Sequence, residues 1–233
     1  VELRLPAPVI EYAGAPLTAP VELIDGERCG RFTSTVISGV RVGPSAVWMQ
    51  RRLMAAGMRP ISNIVDASNY VMLELNQPTH AYDLDTLGGG GFRIRGAREG
   101  ETMVTLDGNE RTLGPSDILI CDAHDTPIGV GGVMGGLDTE ITDATTTVAF
   151  EAAWFTPLPI MQTAQRLGLR SEASARYERG VDPYITHTAV ARFVELLRET
   201  CPDLVVHPAT VDATGPGLPP QHRSVDVRVG EVN

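Results

Sequence analysis

Apolar and polar residues alternate along residues 21–24 and along 32–42 (FTSTVISGVRV), where β-branched side chains dominate, and this spacing predicts two strands. The rhythm then changes. Gly43, Pro44 and Ser45 open a helix that runs to about Ala56 with Gly57 as its stop. Ile64, Ala67, Val71 and Leu75 recur at steps of three and four and predict a second helix ending before Asn76 and Pro78, which leaves His80 on a turn just beyond it. After the glycine run 88–91, read as flexible, short strands are predicted at 92–97, at 102–106 with an Asp107-Gly108 turn, and at 117–122, 127–133 and 145–152. A short helix over 160–169 closes at Gly168. Asp182 and Pro183 cap a longer one to about Thr200, with Ile185, Ala189, Phe193 and Leu196 on one face. Strands and helices mixed without a βαβ rhythm imply an α+β fold: mixed, mostly antiparallel sheets packed with helices in a layered, β-sandwich-like core.

The same pattern divides the chain. Residues 1–20 carry Pro6, Pro8, Pro16 and Pro20 and read as a connector from an upstream domain. Residues 21–212 form the main module. Residues 213–233 read as a linker (GPGLPP at 215–220) followed by the first strand of a next domain at 224–233.

Composition narrows the function classes. With 42 % hydrophobic and 21 % charged residues the chain is globular, and no apolar run approaches the roughly 18 to 20 residues of a membrane-spanning helix. Cys29, Cys121 and Cys201 contain no C-x-x-C pair, and no two of the five histidines stand three to five apart, so neither a disulfide framework nor a linear metal motif is written here. Such cysteine usage fits a reducing cytoplasm best. The net charge of −10 opposes a polyphosphate at long range, so contact with nucleic acid requires local arginine clusters or another subunit.

Two stretches are expected to meet in space as a polar, glycine-walled pocket: 69–85 (NYVMLELNQPTHAYDLD) and 129–151, from GVGGVMGG into VAFEAA. Gly129, Gly131, Gly132, Gly135 and Gly136 do not make a dinucleotide fingerprint, because Met134 stands where its third glycine belongs. They are either a bend where strands pack closely or a wall that lets backbone amides approach a ligand. Glu151, set among Val148, Phe150 and Trp154, faces solvent or is buried with a partner; alternation taken alone favours solvent. His80 closes a turn unless a second polar group stands beside it. Arg166, Arg170, Arg176 and Arg179, offset by Glu172 and Glu178, form a basic patch that fits a surface helix or a phosphate backbone. No G-x-S-x-G elbow is present.

Four blocks in order, NIVDASNYVMLELNQPTHAYDLDTL, GGVMGG, FEAAWFTP and LGLRSEASARYERGVDP, closely resemble the β chain of bacterial phenylalanyl-tRNA synthetases, over about residues 25–200. The resemblance implies an editing module that hydrolyses tyrosine mischarged onto tRNA(Phe). It carries the family's catalytic positions onto His80, Gly135 and Glu151, and its substrate-binding positions onto Arg59, Asn69, Gly132, Ser171 and Ala173. Two departures stand out: Ser171 where the family usually has threonine, and Gly131-Gly132 where it has Ala-Gly. The resemblance further implies no metal or cofactor in this stretch, ATP and magnesium for the whole enzyme, and tRNA(Phe) and the α chain as partners in an α2β2 heterotetramer. A scaffold that holds tRNA or the α chain without chemistry, and a free-standing deacylase, are the alternative readings.

Overall fold

The computed structural model describes residues 6–222 together with 228 and 230; apart from those last two positions, the strand expected at 224–233 lies outside the described residues. In chain order come β1 (Val21–Leu23), β2 (Cys29–Ser38), α1 (Val47–Ala55), α2 (Asn63–Leu75), β3 (Thr79–Asp83), β4 (Phe92–Gly96), β5 (Thr102–Val104) and β6 (Glu110–Thr112). There follow β7 (Ile118–Asp122), β8 (Pro127–Val130), β9 (Met134–Gly135), β10 (Thr147–Phe155), α3 (Pro157–Leu167), α4 (Glu172–Tyr177), α5 (Thr186–Leu197), β11 (Val205–Val206) and β12 (Val211–Thr214).

These elements stack in three layers. One large sheet runs β11–β2–β10–β3, with β12 also on β2; the other runs β1–β4–β7–β8–β9, and β5 and β6 form a separate two-stranded ribbon. Among the described strand pairs β1–β4 is the parallel one, beside an isolated parallel bridge from Tyr12 to Val206, so the sheets are mixed and mostly antiparallel, as the α+β reading expects. Strand β10 decides the layering. Its period-two alternation sends Val148, Phe150 and Ala152 to the core shared with α1, α2 and α5, and Ala149 and Ala153 to the core between the two sheets. Phe150 stacks on Phe193 of α5 at 3.7 Å between centroids, fixing the helical layer. The small residues on the other face leave room against the second sheet.

Several boundaries move for identifiable reasons. Strand β2 stops at Ser38 because Gly39 takes a left-handed φ of 72°. Helix α2 ends as expected at Asn76 (φ 56°), but the chain then enters β3 directly. Gln77 explains this: its amide donates to the Pro78 and Ala153 carbonyls, hooking the chain to β10, so His80 sits on a strand and not on a turn. Helix α3 starts at Pro157, three residues earlier than expected, since proline suits a first helical turn; Gly168 closes it at φ 65°. The six-residue α4 is an addition. Gly88–Gly90, read as flexible, forms a single 3-10 turn. The stretch read as a linker runs along the β1–β2 turn, where the Gly215 and Gly217 amides donate to the Gly30 and Gly26 carbonyls.

Candidate active site

A cleft of about 630 Å³ opens where α2, β3, the β8–β9 turn and α4 converge on β10. Asn69, His80, Tyr82, Gly135, Glu151 and Ala173 all line it. The two stretches expected to meet do so. This volume falls within the usual range for a small-ligand site, roughly 300 to 1,000 Å³.

Glu151 lies at its floor. It points toward the second sheet and is only 5 % exposed, so the solvent-facing reading that alternation favoured is overturned. The cause is that both faces of β10 are covered, which alternation within one strand cannot reveal. Directly across the ladder stand His80 on one side and Ser34 on the other. The Tyr82 hydroxyl donates to Glu151 Oε2 at 2.9 Å, while Oε1 accepts no hydrogen bond from a described residue. Burial pushes the Glu151 carboxyl up to about 7, against the opposing pull of the Tyr82 hydrogen bond, and the same burial holds the Tyr82 phenol well above its ordinary value.

His80 is half-buried as a residue, yet its Nε2 is sealed from solvent and has no hydrogen-bond partner. Burial pushes its imidazole down to about 4, so the ring is neutral at pH 7. It meets Tyr82 edge-on at 4.5 Å. Gly135 permits this packing: a Cβ there would stand 3.0 Å from both Cε1 and Nε2 of His80. Gly132 has a different reason to be glycine, with φ at 68° and Ile160 Cδ1 only 2.9 Å from where a Cβ would be. The amides of Gly131, Val133 and Gly136 donate to the Ile118, Val130 and Ile128 carbonyls; the Gly132 amide, in the cleft wall, has no such acceptor among the described residues.

The remaining expected positions surround the same space. Asn69 of α2 and the exposed Arg59 line the cleft and make no side-chain hydrogen bond or ion pair within the described residues. Ser171 caps α4, accepting from the Ser174 amide at 3.0 Å, and donates to the Val133 carbonyl at 2.6 Å. Its hydroxyl therefore ties α4 to the glycine turn. Half-buried Ala173 packs against the inter-sheet core. Each arginine of the patch has an acidic partner: Arg166 pairs with Asp117, Arg176 with Glu172, and Arg170 and Arg179 share Glu178. Such pairing fits the surface-helix alternative. Among the described residues no group of three or more His, Cys, Asp or Glu is placed to hold a metal ion.

Sequence reading missed Tyr82, the only side chain among the described residues that bonds Glu151. Its signal was its position two residues beyond His80, a spacing that has meaning only on a strand. Missed as well was the support beneath the site, where the Tyr177 hydroxyl reaches the Pro78 and Ala153 carbonyls.

The sequence profile of the B3/4 domain matches residues 28–202. The chain belongs to the B3/4 domain family. This B3/4 domain is 47 % identical over 198 residues to the phenylalanine–tRNA ligase beta subunit of Anaeromyxobacter dehalogenans (strain 2CP-C), covering 84 % of this chain and 25 % of that protein. It is 41 % identical over 233 residues to the beta subunit of the same ligase from Geobacter sulfurreducens (strain ATCC 51573 / DSM 12127 / PCA), covering 99 % and 29 %. The chain thus spans about a quarter of the curated relatives it matches. In fold it resembles an N-terminal fragment of the phenylalanyl-tRNA synthetase beta subunit from Pyrococcus horikoshii, with a TM-score of 0.55 at 11 % identity over 88 % of this chain and 57 % of that one. The resemblance to phenylalanyl-tRNA synthetase β chains is borne out. No helix among the described residues is long and apolar enough to cross a membrane.

Proposed function

We propose that this B3/4 domain is the editing part of a phenylalanine–tRNA ligase β subunit and hydrolyses the ester of tyrosine mischarged onto tRNA(Phe). The observation that carries the reading is the carboxyl of Glu151 at the floor of an apolar-walled cleft, with one oxygen held by Tyr82 and the other unpaired. Tyrosine differs from phenylalanine by one hydroxyl. A tyrosyl group can satisfy Oε1, whereas a phenylalanyl group leaves it desolvated and unpaired, a difference of about 1–3 kcal/mol that spares the correct product.

In the reaction a water oxygen adds to the ester carbonyl carbon, the bond from that carbon to the ribose oxygen breaks, and the ribose oxygen leaves as a hydroxyl carrying a proton. The products are free tyrosine and tRNA. Neutral His80 lines the cleft, offers one donor and one acceptor nitrogen, and orients the water or the ester. The Gly132 amide supplies a donor toward the carbonyl oxygen, and the tRNA's own terminal ribose hydroxyl assists. Arg59 and Asn69, unpaired at the cleft, contact the tRNA end or the amino acid backbone. Under this reading no cofactor serves the hydrolysis. ATP and magnesium belong to aminoacylation on an α chain, with which the full-length β subunit assembles as a cytoplasmic α2β2 enzyme.

Deacylation of Tyr-tRNA(Phe) and Phe-tRNA(Phe) by the full-length protein with its α chain, wild type against Glu151→Ala, tests the proposal. Rapid, tyrosine-selective release by the wild type and a Tyr-to-Phe preference narrowed by about tenfold or more in the variant are expected, that factor corresponding to about 1.4 kcal/mol. Absence of deacylation by the wild type would leave the domain as a scaffold for tRNA or the α chain.

A further inference from the structure

We propose that Tyr82 is a specificity-determining positioning residue: its hydroxyl holds Oε2 of Glu151 so that Oε1 alone is presented to the substrate side chain. This deepens the editing reading and rests on it. A carboxylate has two equivalent oxygens and turns freely about its terminal bond, so an isolated one would offer a phenol several geometries. Here the freedom is removed. Tyr82 is 1 % exposed, and its ring is wedged edge-on between His80 at 4.5 Å and Phe92 at 5.1 Å, so its hydroxyl has one place to be. Gly129 lies beside the hydroxyl, where a Cβ would stand in ordinary contact at 3.5 Å. The internal phenol therefore occupies one oxygen in the manner that the substrate phenol would occupy the other.

The arrangement also sets which form of Glu151 reads the substrate. A hydrogen bond donated by Tyr82 favours the ionised carboxylate, the form that accepts from a phenol. The other titratable groups that face Glu151 are His80 from β3, Cys29 from β2 and Tyr177 from α4. All three are neutral at pH 7, since burial lowers the first and raises the other two, so none competes with Tyr82 as a charge.

The test uses full-length protein with its α chain, Tyr-tRNA(Phe) and Phe-tRNA(Phe), and three versions of position 82: tyrosine, Tyr82→Phe, and 3-fluorotyrosine, a near-isostere whose phenol is the stronger donor. Tyr82→Phe should raise KM for Tyr-tRNA by about tenfold, more than it lowers kcat, and narrow the Tyr-to-Phe preference by a similar factor. The pH at which that preference rises should move up in Tyr82→Phe and down in the fluorotyrosine protein, which a merely structural ring would not produce. A preference and pH profile unchanged in both would overturn the inference, and so would a lower KM in Tyr82→Phe, which would make Tyr82 a competitor of the substrate. If Tyr82→Phe does not fold, the direction of the fluorotyrosine shift decides alone. Wild type lacking Tyr-tRNA hydrolysis would instead sink the editing reading.

Discussion

Replacing Glu151 by glutamine should make the protein more stable at alkaline pH while removing its selectivity. The carboxyl is held at about 7 by burial against an ordinary 4.5. The native state therefore keeps its proton between those values while the unfolded chain releases it, so this group's contribution to stability falls as pH rises from 4.5 to 7. Above 7 the charge is buried and the cost is complete. A difference of 2.5 units (7 − 4.5) corresponds to about 3 kcal/mol, an upper bound because the site can relax and admit water. Glutamine has nearly the same shape, can still accept from Tyr82, and never ionises. Urea unfolding of both proteins at pH 5 and pH 8 should then show a difference that grows by about 1–3 kcal/mol in favour of the variant at the higher pH. His80 titrates in both and cancels. A difference that is the same at the two pH values, or that favours the wild type at pH 8, would refute the claim that an ionisable carboxyl is buried here at an energetic cost.

Three further outcomes follow from the geometry. Gly135→Ala should fold, because the added methyl displaces a His80 ring edge and a Leu106 side chain by only tenths of an ångström, yet slow Tyr-tRNA deacylation by on the order of tenfold through misplacement of His80; normal kinetics would separate Gly135 from the chemistry. Ala173→Trp should fill the cleft and abolish tyrosine release with little loss of melting temperature, and retained release would show that the substrate lies elsewhere. The isolated 233-residue chain should bind tRNA weakly at physiological salt in a filter assay, because its net charge is −10 and each arginine of the patch at 166–179 already has an acidic partner; tight binding without another subunit would contradict this.

Much of the architecture was legible in the sequence. The stops at Asn76 and Gly168 depend on local backbone preferences that residue type alone reports, and the apolar spacing of α2 and α5 reports the face that each turns to the core, though α2 is buried on its polar side as well. What escaped was whatever depends on a neighbour distant along the chain. Ala149, Glu151 and Ala153 are small or charged and look like the solvated side of β10, yet a second sheet covers them. His80 and Tyr82 share a strand face because Gln77 ties the chain to β10, a contact that spans 76 residues and leaves no periodic trace. Helix α4 is six residues long and takes serine, not glutamate, at the third position of its capping box, so it offered neither length nor the usual cap signature.

The cleft around Glu151 exists because side chains are missing. Gly129, Gly132, Gly135 and Ala173 all line it, and their missing atoms let its wall pack closely: a Cβ at 135 would press on His80, and one at 132 on Ile160, Phe155 and Tyr177. Such a site has no redundancy in volume. A drifting sequence could keep every polar group intact and still impair the site, by one methyl at position 135 pressing on His80 or by an indole at 173 filling the cleft. Inactive descendants of this domain should therefore be recognisable by bulk as well as by the loss of histidine or glutamate, so a survey that scores only the polar residues would count some silent copies as working ones.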